Sequence, residues 1–412
     1  MPESHASTAG DLEALAEITD AVESGLGLPE VVRSASRALD ASLVLIDRSS
    51  SVLAVAARST ADERALMADG AGVATHELRV GDTVVGRLRM RGRGGDPSPA
   101  LVRVVTTLIA SEVERLRAPE RASEEAQAAF LDAVLRRAVT DRGDIVARAG
   151  ELGVDVSAGG AVVVVRAHHF APADDDWRVR VLAAAERAAR ASAPGSIAAV
   201  VDPFGDNSGY VVVLLPAAAD AEVRRVAAAI ARELRSSLHG FTFAVGHSRV
   251  ASDPVDLYRA GNEALLAANV AEAGPEDTVL AFEETGAYRL LLPAMSEDPA
   301  ELQRFFAETV EPLVTYDEQY ETDLVQTLET FLDADANVAG TASRLFTHRH
   351  TIRYRLERVR DLTGLDVSST DGREKLGLGL KAMRVLGIAA SRGPATETGA
   401  EGGRVRREPR DR

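Results

Sequence analysis

The sequence has no cysteine, few lysines and few aromatic residues, and each of these shortages restricts the possible structure or function of the chain. None of the 412 residues is cysteine, so disulfides, thiolate catalysis and cysteine-ligated metal sites are excluded. Aromatic residues make up 4% of the chain, so its cores have to be built from Ala, Val and Leu. Lysine occurs only at Lys375 and Lys381. Because neither lysine follows the required glycine, a phosphate-binding P-loop is excluded.

Long apolar runs are missing as well. No stretch approaches the ~20 apolar residues that cross a bilayer, and the longest, from Tyr210 to Ala219, is interrupted by Pro216. Residues Met1–Gly10 lack the basic start and apolar stretch of a signal peptide. We therefore expect a cytoplasmic protein with no membrane partner.

The remaining composition is that of a folded chain with several domains. Apolar residues make up 46% and charged residues 27%, which excludes a mostly disordered chain. A length of 412 residues exceeds the usual size of one domain. The net charge of −16 argues against a surface that is basic everywhere, but it permits a local basic patch.

Residues 1–117 alternate helical and extended patterns. Helical spacing covers Asp11–Ser24, Pro29–Leu39 and about Pro99–Arg117, and the extended runs are Ser42–Ile46, Val52–Ala57, Thr75–Val80 and Val84–Met90. Helices that flank a small antiparallel sheet resemble a GAF- or PAS-type sensor domain. The resemblance implies that this segment binds an unidentified small-molecule effector.

Residues 118–144 are predicted to form a connector helix. Pro119 is expected to break the preceding helix, and a second helix is predicted from Ser123 to about Thr140. Its apolar positions are Phe130, Leu131, Val134 and Leu135. Two interpretations remain open: these side chains pack on their own domain, or they pair two chains.

Residues 145–288 are predicted to form an α/β domain. The predicted order is strand Ala161–Val165, helix Trp177–Ala191, strands Ala198–Val201 and Tyr210–Leu215, helix Ala221–Leu234, strand Phe241–Val245 and helix Leu257–Asn269. This order resembles a GGDEF-like domain. Nucleotide cyclases of that fold need carboxylates for Mg²⁺ at the first strand end and in the hairpin. Here these places read Arg166-Ala167-His168 and Gly205-Asp206-Asn207-Ser208-Gly209, so we expect a degenerate, non-catalytic domain.

Residues 289–322 are predicted as linking helices, and residues 323–390 as an all-α domain. Leu324–Leu332 has amphipathic helical spacing, and Asn337 is a suitable N-cap for a short helix that ends near Leu345.

A second helix is predicted directly after a tight turn at Phe346 and Thr347. Thr347 is expected to cap this helix, and Gly364 is expected to end it. Two helices joined by a short turn, with an apolar inner face, predict a helix-turn-helix.

The second helix is predicted to have an inner and an outer face. At ~100° per residue, Ile352, Leu356, Val359 and Leu362 face the preceding helices. The candidate DNA-binding residues are Thr347, His348, Arg349, His350, Thr351, Arg353, Tyr354 and Arg358. His350, Arg353 and Tyr354 occupy the first two turns, which reach base edges. From Gly340 to Arg360 six arginines accompany one acid, Glu357, a net charge of +5.

This stretch resembles the C-terminal helix-turn-helix of the PucR/CdaR family of bacterial transcriptional regulators. The matching residues are Asn337-Val338, Thr341-Ala342, Arg344-Leu345-Phe346, His348-Arg349, Thr351-Ile352-Arg353-Tyr354-Arg355-Leu356 and Leu362-Thr363-Gly364-Leu365. The family commonly has Asn at the place of His350. Gly377 and Gly379 in the final predicted helix are expected to loosen it.

The sequence therefore predicts a multidomain α+β chain: an N-terminal GAF/PAS-like sensor, a middle GGDEF-like domain and a C-terminal helix-turn-helix, with a disordered tail over 391–412. We expect a DNA-binding transcriptional regulator that responds to an unidentified ligand, binds double-stranded DNA as a homodimer, and is neither an enzyme nor a cofactor protein. The alternatives are a nucleotide cyclase or nucleotide-binding enzyme, and a protein whose basic helix docks an acidic partner.

No metal site is expected, because adjacent His168 and His169 point to opposite faces of a strand, and His348 and His350 are expected to diverge on a helix.

Overall fold

The computed structural model describes residues 15–92, 97–169, 176–201, 210–216, 219–272, 279–297 and 299–388. The protein is a mixed α+β chain in which two β-sheets are followed by a helical region. The hairpin turn at 205–209 and the tail at 391–412 lie outside the described residues. Within those ranges, no helix has the length and apolar character needed to span a membrane.

The N-terminal sheet is antiparallel and has the strand order β2-β1-β4-β3. Its strands are β1 (Ala41–Asp47), β2 (Val52–Ala56), β3 (Ala74–Val80) and β4 (Thr83–Gly92), and its helices are α1 (15–23), α2 (Leu28–Ala38) and α3 (Thr60–Met67). Leu43 and Leu88 are fully buried where one face of the sheet meets α1 and α2. The sequence analysis did not predict α3, because this short helix buries only Leu66 and therefore has no periodic apolar pattern.

A single helix of 37 residues, α4 (Pro99–Leu135), leads from this sheet to the next. The prediction that Pro119 ends one helix and that another begins near Ser123 is therefore wrong. Proline costs a helix interior about 3 kcal/mol, but both ends of α4 are buried in hydrophobic cores, and this packing outweighs the local cost. Two ion pairs also hold the turns on either side, Arg117 with Asp47 and Arg121 with Glu114, each at 2.6 Å.

The second half of α4 uses its apolar face inside the chain. Phe130, Leu131 and Val134 are buried against the second sheet. The sequence left two interpretations open, packing on their own domain or pairing of two chains. In the structure these side chains pack on their own domain.

The middle sheet has five strands in the order β6-β7-β5-β8-β9. Its strands are β5 (Gly160–His169), β6 (Ile197–Val201), β7 (Tyr210–Pro216), β8 (Phe241–His247) and β9 (Val279–Ala281), and its helices are α5 (Arg142–Glu151), α6 (Trp177–Ser192), α7 (Asp220–Ser237) and α8 (Leu257–Glu272). One face is covered by α6 and α7 and the other by α4, α5 and α8. The predicted strands and helices of this domain all occur, and α5 and β9 are additional.

The C-terminal region is helical throughout the described residues. After a 3₁₀ segment (Phe282–Leu291) come α9 (Leu292–Glu297), α10 (Pro299–Thr309), α11 (Glu311–Tyr320), α12 (Leu324–Asp333), α13 (Val338–Arg344), α14 (Arg349–Thr363) and α15 (Thr370–Val385). Phe331, Ala342, Ile352 and Leu356 form a small core between α12, α13 and α14.

Gly379 allows α15 to pack closely on α10. A Cβ atom at this position would overlap the side chain of Thr309 and lie 2.8 Å from Val310. A Cβ atom at Gly377 would meet only Leu332, at an ordinary distance of 3.7 Å. Gly379 therefore serves packing, a role that the sequence analysis did not assign to it.

Candidate nucleic-acid interface

The turn between α13 and α14 is closed by backbone hydrogen bonds. Asn337 caps α13, and its Oδ1 accepts from the N–H groups of Ala339 at 2.9 Å and Gly340 at 3.1 Å. The N–H of Phe346 donates to the carbonyl of Ser343 at 3.3 Å. Asn337 thus has the capping role that the sequence predicts.

The N-cap of α14 is His348, one residue later than the predicted Thr347. Its Nδ1 accepts from the N–H of His350 at 3.3 Å. The difference arises because Phe346 takes a left-handed conformation, with φ +48°, which lengthens the turn. Gly364 ends the helix with φ +71°, as predicted.

The inner face of α14 is the predicted one. Ile352 and Val359 are fully buried and Leu356 is 6% exposed. Ile352 and Leu356 pack against Phe331 of α12. The helix is therefore held by one face only, which leaves the other for a partner.

The outer surface of α14 contains most of the predicted DNA-binding residues. His348, Arg349, His350, Arg353 and Tyr354 are exposed, and Thr347 and Thr351 are half-buried. Arg358 differs from these residues because its side chain already contacts another helix. Its guanidinium lies over the ring of Tyr316 of α11, 4.8 Å from the ring centroid. A hydrogen bond to Tyr316 also raises the pKa of Arg358 above its ordinary value.

The arginines of the basic stretch differ in how they are held. Arg355 donates to Asp323 at 2.9 Å and to Thr327 at 3.0 Å, and Arg344 donates to the carbonyl of Asp333 at 3.0 Å. Among the described residues, Arg349 and Arg353 have no carboxylate within ion-pair distance. The charge that remains available to a partner therefore lies in the first turns of α14.

The rings of His348 and His350 stack, so the prediction that they diverge is wrong. Their centroids are 5.1 Å apart and their planes differ by 12°. They meet because His348 lies outside the helix and does not follow its 100° rotation. Within the described part of the chain, no group of three or more acidic or histidine side chains could hold a metal ion.

A buried arginine occupies the strand end where cyclases of the resembled fold need a carboxylate. Arg166 of β5 is 5% exposed. Its guanidinium donates to Asn269 at 2.5 Å, pairs with Glu272 at 2.9 Å and lies over the ring of Tyr210 at 5.0 Å. A fixed cation at this place opposes the binding of Mg²⁺.

The same arginine connects the middle domain to the end of the helical region. Its Nη2 donates to the carbonyl of Gly387, which follows α15, at 3.0 Å. Asn269 also donates to the carbonyl of Val385 at 2.8 Å. Sequence reasoning gave no signal for this contact, because Arg166 and Gly387 are 221 residues apart.

Two family models match the chain. The PucR C-terminal helix-turn-helix domain matches residues 324–382, which cover α12 to most of α15. The GGDEF-like domain matches residues 136–270, from α5 to α8. The chain carries the PucR-type helix-turn-helix.

Curated relatives of this chain are named as regulators. It is 27% identical over 134 residues to the Purine catabolism regulatory protein of Bacillus subtilis (strain 168), which is 32% of this chain and 24% of that protein. It is 29% identical over 126 residues to the DNA-binding transcriptional activator AdeR of the same organism, 30% of this chain and 29% of that protein. The Proline-responsive transcriptional activator PutR, also from that organism, is 28% identical over 130 residues, 31% of each chain. The matches therefore span about a quarter to a third of the length of these relatives.

Proposed function

We propose that this protein is a transcriptional regulator that binds double-stranded DNA through the first turns of α14. The observation that carries the proposal is the contrast between the two faces of this helix. Ile352 and Val359 are fully buried, while Arg349, His350 and Arg353 are exposed in its first turns. The matches to relatives named as transcriptional activators support the same function. DNA as the partner implies a cytoplasmic location in a bacterial cell.

The exposed residues suit different contacts. Arg353 and His350 are assigned to base edges, because the first two turns of a recognition helix enter the major groove and an arginine fork matches the O6 and N7 atoms of guanine. Tyr354 is assigned to the same surface. Thr347, His348, Arg349 and Thr351 surround the N-terminus of α14, whose N–H groups and positive end of the dipole favour phosphate. Arg358 is assigned to phosphate from the far end of the surface.

The experiment is a selection of duplexes from a randomised library by the purified full-length protein. Affinity for the selected duplex is then measured over a series of salt concentrations. Phosphate contacts release counterions, so the logarithm of the dissociation constant should rise linearly with the logarithm of the salt concentration. A protein that enriches no sequence and shows no salt-dependent binding to any duplex would contradict the function.

We also propose that the chain binds DNA as a homodimer. One helix-turn-helix covers a limited surface, and specific sites are commonly built from two half-sites. The experiment is sedimentation of the full-length protein with and without the selected duplex. A single monomer on the DNA would contradict the proposal.

The N-terminal sheet is proposed to be a GAF- or PAS-like sensor for a small molecule. The domains are proposed as 1–117 (sensor), 118–144 (connector), 145–288 (GGDEF-like), 289–322 (linking helices) and 323–390 (helix-turn-helix). A contact between Arg48, which follows β1, and Asp176, which precedes α6, supports coupling between the first and third of these, because Arg48 donates to Asp176 at 2.8 Å. The neighbouring Asp47 also binds Arg117 at 2.6 Å, which ties the same turn to α4. A metabolite that raises the midpoint of thermal unfolding should therefore also change DNA affinity, and a ligand without that effect would contradict a sensor role.

We propose that the GGDEF-like domain has no cyclase activity. The support is Arg166, which is buried and paired at the strand end. Incubation of the full-length protein with GTP and Mg²⁺, followed by chromatography of the nucleotides, is the measurement. Formation of a cyclic dinucleotide would establish the enzyme instead.

A further inference from the structure

One large aromatic side chain extends from the turn before α14 into solvent. Phe346 is 97% exposed, compared with 66% for Tyr354. Its φ of +48° lies in the left-handed region, which Gly, Asn and Asp tolerate and which is unfavourable for a bulky side chain. The residue thus contributes no packing to the core and adopts an unfavourable backbone conformation. Exposure and strain at one position indicate a use outside the fold.

The surroundings of Phe346 are those of the proposed DNA surface. It precedes His348, the N-cap of α14, by two residues, and exposed Arg349 and His350 follow directly. On its other side lies Arg344, also exposed. An exposed apolar ring that is flanked along the chain by exposed arginines fits a partner that is anionic overall and has apolar groups within reach.

Duplex DNA has this combination. Its phosphates carry the negative charge, and the 5-methyl group of thymine is an apolar feature of the major groove that phenylalanine contacts. A second copy of this chain fits less well, because exposed Arg344 and Arg349 flank Phe346 and would face like charges in a symmetric contact between two copies. We propose that Phe346 is a DNA-contact residue whose ring packs against a thymine methyl group beside the bases read by α14. This inference rests on the proposed function.

An apolar contact has a different salt signature from an ionic one. The ring neutralises no phosphate, so its removal should leave the counterions released on binding unchanged. Arg349→Ala, in contrast, should reduce the dependence of affinity on salt by about one counterion if it neutralises one phosphate.

The first test compares Phe346→Asn and Phe346→Trp in the full-length protein on the selected duplex. Phe346→Asn should bind about tenfold more weakly, equal to about 1.4 kcal/mol, with an unchanged salt slope. Its thermal unfolding midpoint should not fall, because Asn tolerates the left-handed backbone. Phe346→Trp keeps an aromatic ring and should retain most of the affinity.

The second test replaces each thymine of the selected duplex by deoxyuridine, which removes only the methyl group. At one position the replacement should weaken the wild-type complex and leave the Phe346→Asn complex unchanged. The binding free energy lost with the ring and the methyl group together would then equal the loss from removing the ring alone. In a double-mutant cycle this result shows that the two groups interact.

Three outcomes overturn the inference. The first is that Phe346→Asn binds the duplex as tightly as the wild type, and the second is that its salt slope falls. The third is that it changes only the sedimentation of the protein, which would assign the ring to a second copy. A wild-type protein that selects no duplex would instead remove the proposed function, and the inference with it.

Discussion

Arg353 and Ile352 are neighbours on α14, yet their side chains lie in opposite surroundings. Ile352 is fully buried against Phe331 and Leu356, whereas Arg353 is exposed in the second turn of the helix. This contrast separates the residues that hold the module together from those that are free to meet DNA.

Arg353→Ala should weaken binding to the selected duplex by about 1–3 kcal/mol, because a base contact is lost. Its thermal unfolding should be nearly unchanged, since the side chain is exposed. Fluorescence anisotropy with the selected duplex, alongside calorimetry, measures both quantities.

Arg360→Ala is the matched control for this variant. Arg360 is also exposed on α14 but lies near its end, 3.9 Å from Asp361, so its removal should affect binding little. Ile352→Ala should have the reverse profile and lower the free energy of unfolding by about 2–5 kcal/mol. Equal loss of folding in the Arg353 and Ile352 variants would mean that the two faces of α14 are wrongly assigned.

At this scale the sequence predicted which side chains of α14 are buried, but it did not predict which residues of other helices they contact. Rotation by 100° per residue placed Ile352, Leu356 and Val359 inside the module. It could not place Arg358, because Tyr316 lies on another helix. It also misjudged His348, because the position of the N-cap depends on the left-handed turn at Phe346.

At the scale of elements, α15 contains two glycines in different environments. Gly379 faces Thr309 of α10 and the following residue, Val310, in a space that a Cβ atom would overlap, while Gly377 has room for one. The helix therefore offers a comparison of two identical substitutions two residues apart.

Gly379→Ala should lower the free energy of unfolding by about 1–3 kcal/mol, because an added methyl group overpacks the contact with α10. Gly377→Ala should raise it by up to about 1 kcal/mol, the gain in helix propensity without a clash. Chemical denaturation of both variants measures the two signs. A gain at both positions would show that α10 and α15 do not pack as described.

Pro119 is the second test at this scale. Pro119→Ala should raise the free energy of unfolding by about 1–3 kcal/mol, because the carbonyl of Arg115 gains its helical donor and the ring clash is removed. Pro99→Ala is the control: Pro99 stands at the first turn of α4, where proline is well tolerated, so no gain is expected. Thermal unfolding of both variants is the measurement, and a loss of stability in Pro119→Ala would mean that the proline is needed where it is.

Local rules also explain which elements the sequence could predict. The strands of the middle sheet are continuous apolar runs, because both faces of the sheet are covered. The break expected at Pro119 followed a valid local rule, but the burial of both ends of α4 in separate cores overrides it. Packing between distant segments is not visible in local spacing.

At the scale of the whole molecule, Arg166 connects the GGDEF-like domain to the residues after α15. Its bond to the Gly387 carbonyl and the bond from Asn269 to the Val385 carbonyl hold the last turn of α15 against β5 and α8. A Cβ atom at Gly387 would overlap the Arg166 guanidinium, so the glycine allows this approach.

Arg166→Met should lower the free energy of unfolding by about 3 kcal/mol, since the partners of a buried charge are left behind. The last turn of α15 should exchange its amide hydrogens faster. Arg187→Met is the control, because its pair with Glu233 is largely exposed and such pairs contribute about 0–1 kcal/mol. Hydrogen exchange by mass spectrometry gives the comparison, and unchanged exchange at the end of α15 would refute the connection.

The continuous course of α4 has a mechanical consequence. At 1.5 Å per residue its 37 residues form a rod of about 55 Å, gripped by one sheet at its start and by the other at its end. Because α4 is unbroken between the two sheets, a rotation or displacement of its first half also moves the half that packs on the middle sheet, and β5 and α8 of that domain hold the last turn of α15.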